Sequence, residues 1–318
     1  MPVTGGSQRL RALGATSGSK RLAVGALILL ALIWGYAWVA MKVALGHAEP
    51  FTFAAMRAVL SAVFLMLVLV VSHRPLKPRA LGLTALLGLL QTTGFAGLVM
   101  WALHSGGAGR TSVLTYTMPF WLLLMAWAAL GEKLRGLQWV AVALALGGLV
   151  FILSPWRLHG FASSILAVGG GFCWALSAVV AKLIHKRHTV DLLSLTAWQM
   201  ILGAVPLVVI AALTATKAPV WTGSFIWALG YNVVLANGLA WVLWLFVLKA
   251  LPAGTSGVSS LANPVLGVIF AWIQLGERPG RIDAVGMSLI VVGLAVLTAW
   301  ELIRRPPQAA PELPPRRG

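Results

Sequence analysis

The chain has 318 residues, of which 59% are hydrophobic and 10% charged, with a mean hydropathy of +0.91, whereas soluble domains carry about 25% charged residues. A water-soluble core cannot hide so much apolar surface, so the chain belongs in a lipid bilayer. The formal net charge of +17 invites a nucleic-acid reading. The basic residues, however, gather neither in a soluble domain nor along one helix face, and no nucleic-acid partner is expected.

Residues 1–21, with their Gly, Ser and Arg, read as a cytoplasmic tail leading into an uncleaved signal anchor, because the apolar run behind them is long and lacks a small-x-small cleavage site. Ten apolar stretches then follow, at 22–44, 51–71, 80–103, 108–130, 135–154, 160–183, 190–213, 224–248, 254–275 and 283–303. Each is long enough to cross about 30 Å of hydrocarbon as a helix. Alternating ten-residue strands are absent, so an all-α integral membrane fold is expected, with helices satisfying their own backbone groups in lipid. Residues 304–318 form a second short tail, Pro-rich over 306–315. The short connections leave no room for an extramembrane catalytic domain.

The chain repeats itself. Pro119 leads to Gly131-Glu132-Lys133, and Pro264 leads to Gly276-Glu277-Arg278 at the same spacing, 145 positions later. At that offset Ala108-Gly109 aligns with Ala253-Gly254, Thr92 with Asn237 and Gly148 with Gly293, while Trp34 and Lys42 align with Trp174 and Lys182 at an offset of 140. Residues 22–154 and 155–303 therefore read as two five-helix units, and a period near half the chain marks a two-repeat bundle. With the N-terminus cytoplasmic, 17 of the 24 Lys and Arg residues fall on the inner side, leaving Lys42, Arg57, Arg110, Arg157, Lys217, Arg278 and Arg281 outside or in the outer leaflet. This asymmetry puts both termini inside. An odd number of helices per unit then makes the two halves inverted.

Candidate functional residues lie within the bundle. Pro119 and Pro264 each remove a backbone donor inside a span and free the carbonyl four residues earlier, at Thr115 and Ser260. Either proline alone reads as an ordinary membrane-helix kink, but kinks at corresponding places in two halves point to a midplane site, with these prolines as hinges or pocket walls. Hydroxyls and amides flank them, including Tyr116 and Asn263. Trp34 and Trp38 share a stripe with Lys42, Trp174 repeats part of it, and Asn237, Trp241 and Trp244 form a similar stripe on the eighth span. Such tryptophans serve as interfacial anchors or as cavity walls, and Trp34 and Trp174 lie well inside their spans. Arg57, about two turns into the second span, costs about 3 kcal/mol at a helix centre, so it either snorkels outward or serves function. Gln199 holds the matching place in the second half. With Lys42 and Arg110 near it in topology, Arg57 is placed to attract an anionic substrate group. Glu132 and Glu277 read as turn residues or as gates, at the inner and outer faces. The other acids also lie at helix ends or in loops, so no buried carboxylate relay is expected.

The two five-helix units, the early tryptophans and the paired Pro…Gly-Glu-[Lys/Arg] segments resemble the EamA-like family of the drug/metabolite transporter superfamily over residues 22–303. The resemblance implies an inverted-repeat carrier of the bacterial inner membrane that moves small metabolites, often outward, without chemical conversion. An arginine at the place of Arg57 is also common in that family. Enzyme and scaffold readings stay open beside it. His47, His73, His104, His159, His185 and His188 all fall at span ends or in loops, and His185 and His188 lack the carboxylates of a metalloenzyme motif. Cys173 is the only cysteine, so no intramolecular disulfide is possible. No metal or cofactor is expected; the partners are the lipid bilayer and a small-molecule metabolite such as an amino acid. No oligomeric state follows.

Overall fold

Apolar runs without backbone partners of their own close on themselves as helices, and every regular element among the described residues is helical. The structure is a computed structural model that describes residues 5–130, 136–153, 160–250 and 253–304. In chain order the helices are α1 (Gly5–Ala44), α2 (Pro50–Val71), α3 (Leu81–Gly88), α4 (Ala96–Ser105), α5 (Ala108–Thr115), α6 (Met118–Leu130) and α7 (Leu137–Leu153). They continue as α8 (Phe161–Arg187), α9 (Leu192–Thr214), α10 (Gly223–Gly230), α11 (Ala240–Ala250), α12 (Ala253–Leu275) and α13 (Arg281–Arg304). Two π-helical segments interrupt this pattern: Leu89–Phe95 joins α3 to α4, and Tyr231–Leu239 joins α10 to α11.

Local chemistry sets several boundaries. Pro50 starts α2, where the missing N–H is not needed. Asp191 accepts from the Ser194 N–H at the start of α9, and the Thr222 hydroxyl accepts from the Phe225 N–H at the start of α10. Between α5 and α6 the chain breaks over Tyr116 and Thr117, just ahead of Pro119; the Thr117 hydroxyl donates to the Leu114 carbonyl at 2.7 Å and accepts from the Trp121 indole. The other proline behaves differently. α12 passes through Pro264 as a continuous helix, so the chain breaks ahead of Pro119 and not at Pro264.

Seven described helical stretches are long and apolar enough to cross a membrane: Leu22–Ala44, Pro50–Val71, Leu81–Ser105, Phe161–Arg187, Leu192–Thr214, Gly223–Trp244 and Arg281–Trp300. Leu137–Leu153 and Ala262–Leu275 are shorter apolar helices. Seven of the ten expected spans thus meet the full length, and the stretch 108–130 is divided at its break. Large apolar side chains such as Leu29, Val63, Val150, Val209 and Ile273 point outward. In water that surface would drive aggregation, while in lipid it is the favourable exterior.

The main packing pairs are α2 with α9, α7 with α13, α1 with α11 and α12, and α8 with α4, α5 and α6. Small residues let two of these pairs approach closely. A Cβ added to Gly88 of α3 would stand 2.8 Å from the Gly203 nitrogen of α9, and one added to Gly148 of α7 would stand 2.6 Å from the Gly286 carbonyl oxygen of α13. Between these seams the helices part around a central cavity.

Candidate functional site

The cavity has a volume of about 450 Å³. It is lined from α1, α2, the first π segment, α4, the α5–α6 break, α8, α9, the second π segment, α11 and α12. Nine residues singled out by the sequence, Trp34, Trp38, Arg57, Thr92, Tyr116, Trp174, Asn237, Trp241 and Asn263, all lie on its wall. Gln91, Met41, Phe95, Met118 and Met200 line it as well, and the sequence reasoning missed them. A polar pair, Gln91-Thr92, inside an otherwise apolar run was the available signal for Gln91.

Aromatic rings form much of the wall. Trp34 meets Trp241 and Trp244 at centroid distances of 6.3 and 6.0 Å, Trp38 meets Tyr116 at 6.3 Å, and Phe95 meets Trp174 at 4.8 Å. These spacings lie within the range of favourable edge-to-face contacts. The Trp34 indole N–H donates to the Ala236 carbonyl at 3.0 Å, and the Tyr231 hydroxyl donates to the Ile33 carbonyl at 2.9 Å. Trp34 therefore has the buried partner that a lipid-facing indole would lack, and α1 is tied to the second π segment.

Polar groups occupy corresponding places on the two π segments. Thr92, in the first, donates to Gln199 Oε1 on α9 at 2.8 Å. Asn237, in the second, donates from Nδ2 to Ser61 Oγ on α2 at 3.0 Å. Both bonds position a side chain against the cavity without filling it. Asn263 Oδ1 and Thr115 Oγ1 are buried without a hydrogen-bond partner.

Arg57 reaches this wall from α2. Its Nη1 lies 3.3 Å from Met41 Sδ, a weak acceptor, and its Nε is shielded from solvent with no hydrogen-bond partner. Lys42 and Arg110, near Arg57 in topology, do not line the cavity with it. Lys42 Nζ donates to the carbonyls of Leu103 and Gly106 at 2.5 and 2.7 Å, closing the C-terminal end of α4. Arg110 donates to the Ile152 carbonyl at 2.6 Å and lies 3.9 Å from Asp283. Both cations are held by backbone acceptors that a sequence does not display.

The gate candidates separate in the same way. Glu277 accepts from the N–H groups of Ala108 and Gly109 at 2.8 and 3.0 Å, so a carboxylate after α12 caps the N-terminus of α5. Glu132 lies outside the described residues. Pro119 follows the α5–α6 break beside Met118 of the cavity wall, and the Pro264 carbonyl lies 3.5 Å from Ser112 Oγ on α5.

The EamA-like transporter family matches residues 21–154 and again residues 162–299. The uncharacterized transporter YoaV of Bacillus subtilis (strain 168) is 30% identical over 279 residues, covering 86% of this chain and 95% of that protein. The uncharacterized inner membrane transporter YedA of Escherichia coli (strain K12) is 26% identical over 281 residues, covering 86% and 90% respectively. A probable amino-acid metabolite efflux pump of the same strain is 26% identical over 286 residues, covering 85% and 92%. A solved crystal structure shares the fold with a TM-score of 0.62 at 18% identity, covering 90% of this chain and 99% of that one. Matched along most of its length by a transporter family and by relatives named as transporters rather than enzymes, the chain belongs to the EamA-like transporter family and is a multi-pass membrane transporter.

Proposed function

We propose that the protein is a secondary carrier that exports small organic metabolites, amino acids or related compounds, across the bacterial inner membrane by alternating access. The observation that carries this reading is the cavity itself: counterpart residues of the two halves, Trp34 and Trp174, Thr92 and Asn237, and Arg57 and Gln199, line the same space. A site shared by two repeats is the arrangement that lets one half rock against the other around a bound solute. The probable amino-acid metabolite efflux pump among the relatives favours amino-acid-like cargo and outward movement.

In this reading ten helices cross the membrane, in two inverted units at 22–154 and 155–303, with both tails cytoplasmic. The packing supports the pairing. α2 packs on its counterpart α9, and α7 on its counterpart α13, while α1 against α11 and α12 is mirrored by α8 against α4, α5 and α6. Trp34, Trp38, Arg57, Thr92, Tyr116, Trp174, Asn237, Trp241 and Asn263 hold the solute; Pro119 and Pro264 act as hinges, and Glu132 and Glu277 as inner and outer gates. Purified protein in liposomes tests the proposal against a panel of labelled amino acids and related metabolites. Saturable flux of at least one solute, recovered chemically unchanged, is the expected result; no flux across the panel despite correct insertion would sink it.

A further inference from the structure

Among the described residues, the central cavity carries one formal charge and nothing opposite to it: Arg57 is the only charged side chain among those that line it. Four of the seven acids in the chain have described side chains, and each is engaged elsewhere. Glu49 accepts from Thr216, Asp191 pairs with Arg74, Glu277 caps α5, and Asp283 faces Arg110. A guanidinium partly withdrawn from water without a counter-ion is costly, and Arg57, half-buried, has its Nε shielded with no partner. A ligand that brings the missing negative charge relieves it.

We infer that this cavity selects monocarboxylates with a flat apolar body over the zwitterion or the ammonium ion of the same skeleton. The inference rests on the reading of the cavity as the transport site and shifts its cargo from amino acids themselves to the monocarboxylates related to them. A monoanion bound to Arg57 makes the occupied site neutral, and a carboxylate matches the guanidinium fork with two parallel hydrogen bonds. A zwitterion leaves the site with a net charge of one and buries an ammonium group that finds no carboxylate on the wall. An ammonium ion adds a like charge beside Arg57. A dianion, such as a phosphate ester or dicarboxylate, overshoots the single cation. The body of the solute lies against Trp34, Trp241 and Trp244, whose faces and edges suit a ring. Asn263 Oδ1 and Thr115 Oγ1, buried and unpartnered, can accept from a neutral donor on that body, a hydroxyl or an amide N–H.

Three compounds of one skeleton test this directly: 3-phenylpropanoate, phenylalanine and phenethylamine at pH 7.5. Equilibrium binding of labelled 3-phenylpropanoate to the purified full-length protein, competed by the other two, gives the ranking. The expected order is 3-phenylpropanoate, then phenylalanine at least about tenfold weaker, then phenethylamine, the factor being that of one charge-assisted contact. Arg57→Gln should weaken 3-phenylpropanoate by about tenfold or more and flatten the ranking, and Arg57→Lys should recover only part of the loss. Phenylalanine competing equally or better overturns the inference, as does a monodisperse Arg57→Gln protein with unchanged affinity, or no binding of 3-phenylpropanoate to the wild type. If Arg57→Gln does not fold, the wild-type ranking decides alone. Flux in liposomes separates the two readings. Phenylalanine moved without 3-phenylpropanoate binding removes the anion preference and leaves a carrier, while 3-phenylpropanoate bound and never moved keeps the preference and removes the carrier.

Discussion

Lys42 and Glu277 hold the two ends of one short link. The lysine donates to the last carbonyls of α4, the glutamate accepts from the first N–H groups of α5, and only Gly106 and Gly107 lie between those helices. Each charge has the sign that a helix end favours, positive at the C-terminus and negative at the N-terminus. Glu277→Gln keeps the size and offers one acceptor in place of two, so it should lower stability by about 1–2 kcal/mol. Thermal unfolding in detergent reads that loss directly. A double cycle with Lys42→Met should show coupling between the sites, because both act on the same link; an unchanged midpoint in Glu277→Gln would remove the cap. At this scale the aromatic and amide residues were legible, since helical spacing and the internal repeat put Trp34 in register with Trp174 and Thr92 with Asn237. The partners of Lys42 and Arg110 were not, because those are main-chain carbonyls brought near by packing, and side-chain identity carries no trace of them.

The helical elements repeat less faithfully than the residues. Pro119 follows a break and Pro264 does not, although the sequence treats them alike. The difference has a local cause: at the break, the Thr117 side chain takes up the Leu114 carbonyl and receives the Trp121 indole, giving the backbone an alternative to the helix. Pro119→Ala restores the missing donor and should stiffen the α5–α6 junction beside the cavity. Its initial flux should fall several-fold at matched membrane levels, with a smaller effect for Pro264→Ala, where the helix already runs through. Equal flux in both variants and wild type would make the break a matter of packing alone. The two π segments were illegible from the sequence. A π turn leaves backbone groups that need outside partners, and here one is the Trp34 indole on α1, about 200 residues away in the chain, bonded to Ala236. The π segments Leu89–Phe95 and Tyr231–Leu239 hold matching places in the two halves, and each carries a polar residue of the cavity lining, Thr92 in the first and Asn237 in the second.

For the whole molecule the repeat is the legible feature, and its orientation is the step that needs measurement. A parallel duplication and an inverted one produce the same internal offsets in sequence, and the case for inversion rests on the odd number of spans expected in each unit and on the distribution of Lys and Arg. The connection after α2 and the connection after α9 hold corresponding places in the two halves, with Lys77 exposed in the first and Lys217 exposed in the second. Inversion puts them on opposite sides of the membrane. Single Lys77→Cys and Lys217→Cys substitutions, in a Cys173→Ser background, can be exposed in intact cells to a thiol reagent that does not cross the inner membrane. The Lys217 position should react at once from the periplasmic side, whereas the Lys77 position should react only after the membrane is opened. Reaction of both from one side would break the inverted arrangement and with it alternating access by rocking of inverted halves. The opposite assignment, Lys77 outside and Lys217 inside, would keep the inversion and reverse the direction that the charge asymmetry implies, so the two labels decide the symmetry and the orientation separately.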